Sequence, residues 1–459
     1  MSLPTQTVAH VNDFAGRRFC SAVVAPAAKA NNAALKSLSC HGSVKVDNKR
    51  VEQLVVRNRP RASCESSDSR VWPVGFRPHT TSKFPVQNEQ RCDPKRGAGE
   101  LVMKADKRPE RLSAGVLSVL RDSVDGKIFP GAVAALISST DETYIPFGFE
   151  TYDPTACPIT ETSIFDVASL TKVVATATAT MQLVERKQLS LNDQACNFFP
   201  QLRQAPKDRI TISQLLAHTA GFPGGEPLSR QLKSRDEILE AIFSLNLLYP
   251  PGTNRIYDDL GYILLGLIVE SIAGVTFNKY CQNEIFRPLK MNETGFVPHK
   301  TLLGRIVPTE IDAGRGGLLR GIVHDERAYI MGGVAGHAGI FTTARDLGRF
   351  SRLMMGHAES ALARILSDAS IKLMWSRQWQ DSQGEYGLGW DRLRPSYMNG
   401  IDDCDAVGHT GFTGVSLVIS QRRDLAIILL SNRVHPVRSD ASQINLARRR
   451  LVEAVMRHW

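Results

Sequence analysis

The strongest constraint on the fold is that the clearest helices and strands fall at the two ends of the globular part. Near its front, Leu112, Val116, Leu117, Leu120 and Val124 recur at helical spacing until Gly126 ends the run. Pro130-Gly131 then precedes Ala132–Ile137, an apolar stretch of strand length. Near the far end, Val415–Ile419 and Leu425–Leu430 read as strands around the polar turn Gln421-Arg422-Arg423-Asp424. A last helix is expected from about Asp440 to Arg457, carrying Ile444, Leu446, Leu451, Val452 and Val455. The long middle is helix-rich and holds no internal repeat. This arrangement predicts one discontinuous α/β unit with a helical insert. Clefts form where two such lobes meet.

At that seam lies Phe165-Asp166-Val167-Ala168-Ser169-Leu170-Thr171-Lys172. It opens a helical run expected to continue through Gln194, with Val173, Val174, Met181, Leu183 and Val184. Residues i and i+3 share a helix face, so the Ser169 hydroxyl and the Lys172 amine can meet. The first turn also offers unpaired N–H groups and the positive end of the macrodipole. A hydroxyl becomes a good nucleophile when a base takes its proton, and a lysine can do so once burial or nearby charge lowers its pKa. The Ser-x-x-Lys spacing occurs once in the chain. Taken alone, it equally fits a capping serine followed by a solvated lysine.

Two later stretches change that balance. Tyr257-Asp258-Asp259-Leu260-Gly261-Tyr262 opens the apolar run Ile263–Val269, and Gly408-His409-Thr410-Gly411-Phe412-Thr413-Gly414 leads into Val415–Ile419. With Ser169-x-x-Lys172, 88 residues ahead of Tyr257 and with His409 a further 152 on, this ordered set resembles the serine β-lactamase and D-Ala-D-Ala peptidase superfamily, in its class C-like branch. There the pattern is Ser-x-x-Lys, Tyr-x-Asn and Lys-Thr-Gly. Leu215–Gly221, Gly336–Leu347 and Tyr386-Gly387-Leu388-Gly389-Trp390 look like secondary segments of the same branch, and the resemblance runs from about Phe129 to the C-terminus. It implies an antiparallel sheet flanked by the terminal helices, with an inserted all-helical subdomain.

The resemblance also implies roles. Ser169 is the nucleophile, Lys172 shares its proton, and Tyr257 relays protons to the leaving group and later activates water. A phenol titrates near 10, so Tyr257 needs cations beside it, here Lys172 and a protonated His409. Backbone N–H groups of Ser169 and Phe412 form the oxyanion hole, and glycine at 411 allows close approach of that backbone. Asp259, His409, Thr410 and Gly411 are the expected substrate-binding residues. Two of these depart from the family: Asp259 stands for asparagine and His409 for lysine. A carboxylate near an imidazole supports its protonated form. Alternatively, Asp258 or Asp259 caps the helix that begins at Leu260.

These residues suggest a metal-free serine hydrolase acting on a small-molecule ester, amide or peptide through an acyl-enzyme. The two departures leave room for a catalytically weak family member that serves in binding or assembly. They also argue against anionic β-lactams, because the substrate carboxylate loses a permanent cation. No cofactor is expected. His218, His324 with Asp325, and His337 lack helix-face spacing and a cysteine partner, which argues against a metal site. Gly333, Gly336 and Gly339 match neither a Walker A nor a dinucleotide fingerprint and are expected to pack against the cleft.

Composition separates a leader from the body. The chain carries a net charge of +10, but residues 1–100 hold 16 Lys/Arg against 8 Asp/Glu, so the remainder is close to neutral. That distribution argues against a nucleic-acid footprint. The first 46 residues contain one acid, Asp13, among Arg17, Arg18, Lys29, Lys36 and Lys45, with abundant Ala, Ser and Val. This is the make-up of an organelle transit peptide, for a plastid ahead of a mitochondrion; a disordered N-terminus or a misplaced start would leave the protein in the cytoplasm. Residues 1–104 are therefore read as leader and linker and 105–459 as the hydrolase domain. Eight cysteines at irregular intervals, with no Cys-x-x-Cys, are read as reduced, core-filling thiols. No apolar stretch reaches the ~18 residues of a membrane helix, so no membrane span is expected. The oligomeric state is open.

Overall fold

A computed structural model describes residues 108–459 apart from 226–227, 229–230, 358–363, 402 and 439. The expected leader, residues 1–104, lies outside the described residues. The strand Gly131–Ile137 is buried along its whole length, and so is Leu425–Ser431, its antiparallel neighbour from the far end of the chain. Together they are the second and third strands from one edge of an eight-stranded sheet. From edge to edge its order is Glu142–Gly148, Gly131–Ile137, Leu425–Ser431, Ser416–Ser420, Val407–Thr410, Asp391–Arg392, Gly384–Tyr386 and Trp379–Asp381. Every neighbouring pair is antiparallel.

Side chains alternate across a strand, so an apolar residue at every position requires cover on both faces. Ala132, Ala134 and Leu136 meet Val116, Leu120, Ile444, Leu451 and Val455 from the terminal helices Arg108–Asp125 and Ala441–Met456. Val133, Ala135 and Ile137 face the other core, shared with Leu347 and Phe350 of the helix Ala344–Met354 and with Leu170 and Val173. Each large aliphatic side chain buried in this way contributes roughly 1.5–3 kcal/mol.

The middle of the chain is mostly helical: Thr178–Glu185, Ile212–Leu216, Arg235–Ser244, Leu260–Ala273 and Phe277–Cys281. It also carries two small sheets, one joining Phe165–Asp166, Ile340–Thr342 and Gly295–Phe296, the other Ile311–Asp312 and Gly317–Leu318. Leu260–Ala273 is apolar almost all round because it runs through the core of this lobe. No single described helix is long and apolar enough to cross a membrane.

Two expectations need correction. The helix after Lys172 stops at Glu185, well short of Gln194, because Lys187 turns left-handed (φ +55°) and the chain folds back on itself there. Of the four described cysteines, only Cys196 and Cys281 fill the core, whereas Cys157 and Cys404 are exposed.

Candidate active site

Ser169 lies in the turn between the strand Phe165–Asp166 and the helical residues that follow. The Asp166 carboxylate ties this turn down: one oxygen accepts from the Ala168 N–H at 2.8 Å, the other from the His324 N–H at 2.7 Å. Ala168 is left-handed at φ +45°, a conformation that costs an ordinary residue energy and is held here by its surroundings. The turn presents Ser169 where Lys172, fully buried at the start of a π-helical stretch (Lys172–Ala177), reaches it.

Lys172 Nζ donates to Ser169 Oγ at 2.9 Å, to an Asp259 carboxylate oxygen at 2.7 Å and to the His337 carbonyl at 3.1 Å. Its ammonium also stands 4.9 Å from the centre of the Tyr257 ring. Burial works against the charge, but the Asp259 carboxylate outweighs it and holds the lysine above its usual range. Lys172 is therefore a cation. That fits the positive charge expected beside Ser169, but not the lowered pKa that taking the hydroxyl proton would need.

The choice between Asp258 and Asp259 as helix cap is settled by contacts. Asp258 accepts from the Gly261 N–H at 2.7 Å, and Asp259 makes no capping bond. Asp259 instead bridges Lys172 and Arg327, whose guanidinium donates to its second oxygen at 3.1 Å. Burial raises its pKa and Lys172 lowers it, with a net shift downward, so Asp259 is ionised. Asp325 lies close by, taking a hydrogen bond from His337 Nε2 at 2.8 Å. Burial again opposes its charge, but His337 and Arg327 hold it well below the carboxylate range.

Asp259, Asp325 and His337 thus bring potential ligand atoms within 4.8 Å of one another. A metal ion there would have to displace Lys172 or Arg327 from Asp259, and the imidazole from Asp325. This donor set already has its counter-charges and does not fit a metal. Neither Arg327 nor the His337 carbonyl stood out in the sequence. An arginine two residues after Asp325 was the only available signal.

Tyr257 lies between two histidine rings that are both tilted to it, with ring centroids 4.6 Å from His218 and 6.0 Å from His409. Although 39% of the residue is exposed to the cleft, protein crowds its hydroxyl. Burial there raises its pKa, and the opposing pull of Lys172 is too weak to reverse the shift. The resting group is the phenol, contrary to the expected lowering. His409, on the strand Val407–Thr410, donates from Nδ1 to the Thr410 carbonyl at 2.8 Å, which leaves Nε2 as an acceptor. Burial pushes its pKa down to about 3, and the nearby Asp391 only partly offsets this. The expected protonated imidazole paired with Asp259 is therefore corrected: His409 is neutral, and Asp259 serves Lys172 and Arg327.

Thr410 closes its strand opposite Ser416, and Gly411 begins the turn that carries Phe412. A Cβ at Gly411 would stand 2.4 Å from the Val167 carbonyl oxygen, so glycine is required to bring this turn against the segment leading to Ser169. Thr413 Oγ1 then donates to the Asp166 carbonyl at 2.7 Å. The N–H groups of Ser169 and Phe412 have no hydrogen-bond acceptor among the described residues. Gly336 packs against the helix Leu260–Ala273: a Cβ there would lie 2.0 Å from the Tyr262 carbonyl oxygen, and its own carbonyl accepts from Thr176.

A model of the Beta-lactamase family matches residues 118–451. The chain belongs to that family. An Escherichia coli K12 protein provisionally named D-alanyl-D-alanine carboxypeptidase is 32% identical over 307 residues, covering 60% of this chain and 70% of its own length. A protein of the same name from Salmonella agona is 30% identical over 336 residues, covering 65% and 76%. Among solved structures, a class C β-lactamase superposes with a TM-score of 0.64 at 17% identity, over 76% of this chain and 97% of that one. EstCE1, a hydrolase with promiscuous acyltransferase activity, gives a TM-score of 0.60 at 20% identity, over 74% and 99%. These likenesses establish the β-lactamase/transpeptidase fold, and members of the Beta-lactamase family are serine hydrolases.

One consequence of the buried imidazoles can be measured directly. Burial lowers the pKa of His218, His409 and His435 in the folded chain. The unfolded chain takes up protons near pH 6.5 that the folded chain refuses, so stability is complete above that value and falls as the pH drops below it. For His409, with its pKa about 3, the loss by pH 5 is about 2 kcal/mol. The Tm should fall between pH 7 and pH 5, and less steeply in His409→Gln. A flat profile would show that these imidazoles titrate normally.

Proposed function

We propose that this family member is a metal-free serine hydrolase that cleaves an ester or amide through an acyl-enzyme on Ser169. The observation that carries the reading is the 2.9 Å contact from Lys172 Nζ to Ser169 Oγ, with the lysine anchored by Asp259. Because Lys172 stays charged, its part is to donate to Oγ and to favour negative charge nearby. Tyr257 is then the proton acceptor, acting through its minor phenolate form. Oγ bonds to the acyl carbon while the carbonyl oxygen becomes an oxyanion held by the N–H groups of Ser169 and Phe412. Tyr257 passes the proton to the departing alcohol or amine, and water repeats the sequence to release the acid and free Ser169.

A neutral imidazole at position 409 gives a substrate carboxylate no permanent cation there, so neutral esters are the favoured class, ahead of anionic β-lactams. His409→Lys installs that cation and leaves Asp259 on Lys172. A charge a few ångströms from an anion at a partly shielded site is worth on the order of 1–4 kcal/mol. The ratio of kcat/KM for nitrocefin over a neutral p-nitrophenyl ester should therefore rise by about tenfold or more. An unchanged ratio would remove position 409 from substrate discrimination.

The reading is tested by incubating the full chain with p-nitrophenyl esters, nitrocefin and a D-Ala-D-Ala peptide while following turnover and intact mass. Turnover of a neutral ester and a covalent fluorophosphonate adduct on Ser169 are expected. Neither turnover nor adduct would overturn the hydrolase reading and favour the role in binding or assembly.

A further inference from the structure

Arg448 is the feature of this fold that the chemistry above leaves unexplained. It sits on the C-terminal helix Ala441–Met456, on the face of the sheet shared by the terminal helices, and is only 5% exposed. A buried guanidinium is costly unless a carboxylate balances it. Among the described residues Arg448 forms no ion pair, and its Nε has no partner. Burial and the nearby Arg433 pull its pKa down to about 9, which still leaves it charged at neutral pH.

That charge is directed at the turn after the strand Val407–Thr410. Nη2 donates to the Gly411 carbonyl and to the Val415 carbonyl, each at 2.8 Å, and Nη1 donates to the Asn445 side chain at 2.8 Å. The Val415 carbonyl also accepts from the Gly411 N–H at 2.9 Å, so one guanidinium nitrogen bridges both sides of the turn. The Gly411 carbonyl and the Phe412 N–H belong to one peptide unit. Amide resonance couples the two ends, so a cation bonded to the oxygen makes the N–H a stronger donor. It also fixes the direction in which that N–H points.

We infer that Arg448 is a positioning residue for the oxyanion hole: from behind the sheet it orients and polarises the Gly411–Phe412 peptide, whose N–H would receive the substrate carbonyl oxygen. The inference rests on the acyl-enzyme reading of Ser169. It explains why the chain keeps a buried cation without a carboxylate, and why that cation bonds to the carbonyl directly coupled to a catalytic donor. The contacts of Gly411 with Val167 and of Thr413 with Asp166 pin the same turn to the Ser169 segment, so both halves of the hole form one rigid frame.

The test compares the wild type with Arg448→Met, which keeps the buried stem and removes the charge, and with Arg448→Lys, which keeps the charge. Two readouts are used: kcat and KM on a neutral p-nitrophenyl ester, and the infrared carbonyl stretch of an acyl-enzyme that deacylates slowly. Losing one oxyanion donor outright costs about 10²–10³-fold in kcat, so weakening one should cost about tenfold or more, with KM little changed. The acyl carbonyl stretch should move to higher frequency in Arg448→Met as polarisation falls, and return part of the way in Arg448→Lys. A lower Tm with an unshifted stretch and unchanged kcat in either folded variant would make Arg448 merely structural and overturn the inference. A wild type that forms no acyl-enzyme would overturn the Ser169 reading itself, and the role of Arg448 with it.

Discussion

Ser169→Ala should abolish ester hydrolysis, by at least about 10⁴-fold in kcat, and leave the fold intact. The hydroxyl is the only group at this position able to bond to the acyl carbon. The fold should tolerate the loss because Ser169 precedes the helix and its hydroxyl serves the site groups Lys172 and Tyr257. Lys172 keeps two acceptors, Asp259 and the His337 carbonyl. The expected stability change is therefore within about 1 kcal/mol, the size of a lost cap. Steady-state assay, fluorophosphonate labelling and a thermal melt would check this together. Retained turnover in the purified variant would remove Ser169 as nucleophile.

Lys172→Met should be damaging in a different way. Activity should fall by about 10²–10³-fold, the range for a lost donor that stabilises developing negative charge. Stability should fall as well, because removing one side of a buried pair leaves the other charge behind, at a cost of about 3–5 kcal/mol. The lower end applies here, since Arg327 still donates to Asp259. Adding Asp259→Asn removes the stranded carboxylate, so the double variant should recover most of the stability and none of the activity. Urea unfolding of the two variants makes the comparison. Equal instability in both would mean that the pair contributes through shape and not through charge.

The motifs were legible because they are local. Ser169 and Lys172 are three residues apart, and Gly411 precedes Phe412 in one turn. Three interior strands and the terminal helices were legible from apolar runs bounded by turn residues. Charge states were not legible, because they depend on burial and on partners far away in the chain. Arg327 reaches Asp259 across 68 residues, and no spacing rule connects them. His409 reads as a cation while Asp259 is assumed to face it; burial makes it neutral, and its actual acidic neighbour, Asp391, offsets that only in part. The two adjacent aspartates could not be told apart until one of them met the Gly261 N–H. The early end of the Lys172 helix was hidden for a similar reason, since apolar residues continue beyond the left-handed turn at Lys187.

The pairing of Gly131–Ile137 with Leu425–Ser431 has a consequence for how the molecule is made. During synthesis the first of these strands emerges about 290 residues before its partner, roughly 15–60 s at ribosomal rates. Throughout that interval one long apolar edge is open, a template for pairing with another nascent chain. The hairpin partner Glu142–Gly148 covers only the opposite edge. Chaperone demand should thus be set by connectivity more than by final stability. A circular permutant that joins the two terminal helices would bring these two strands off the ribosome in succession and close that window.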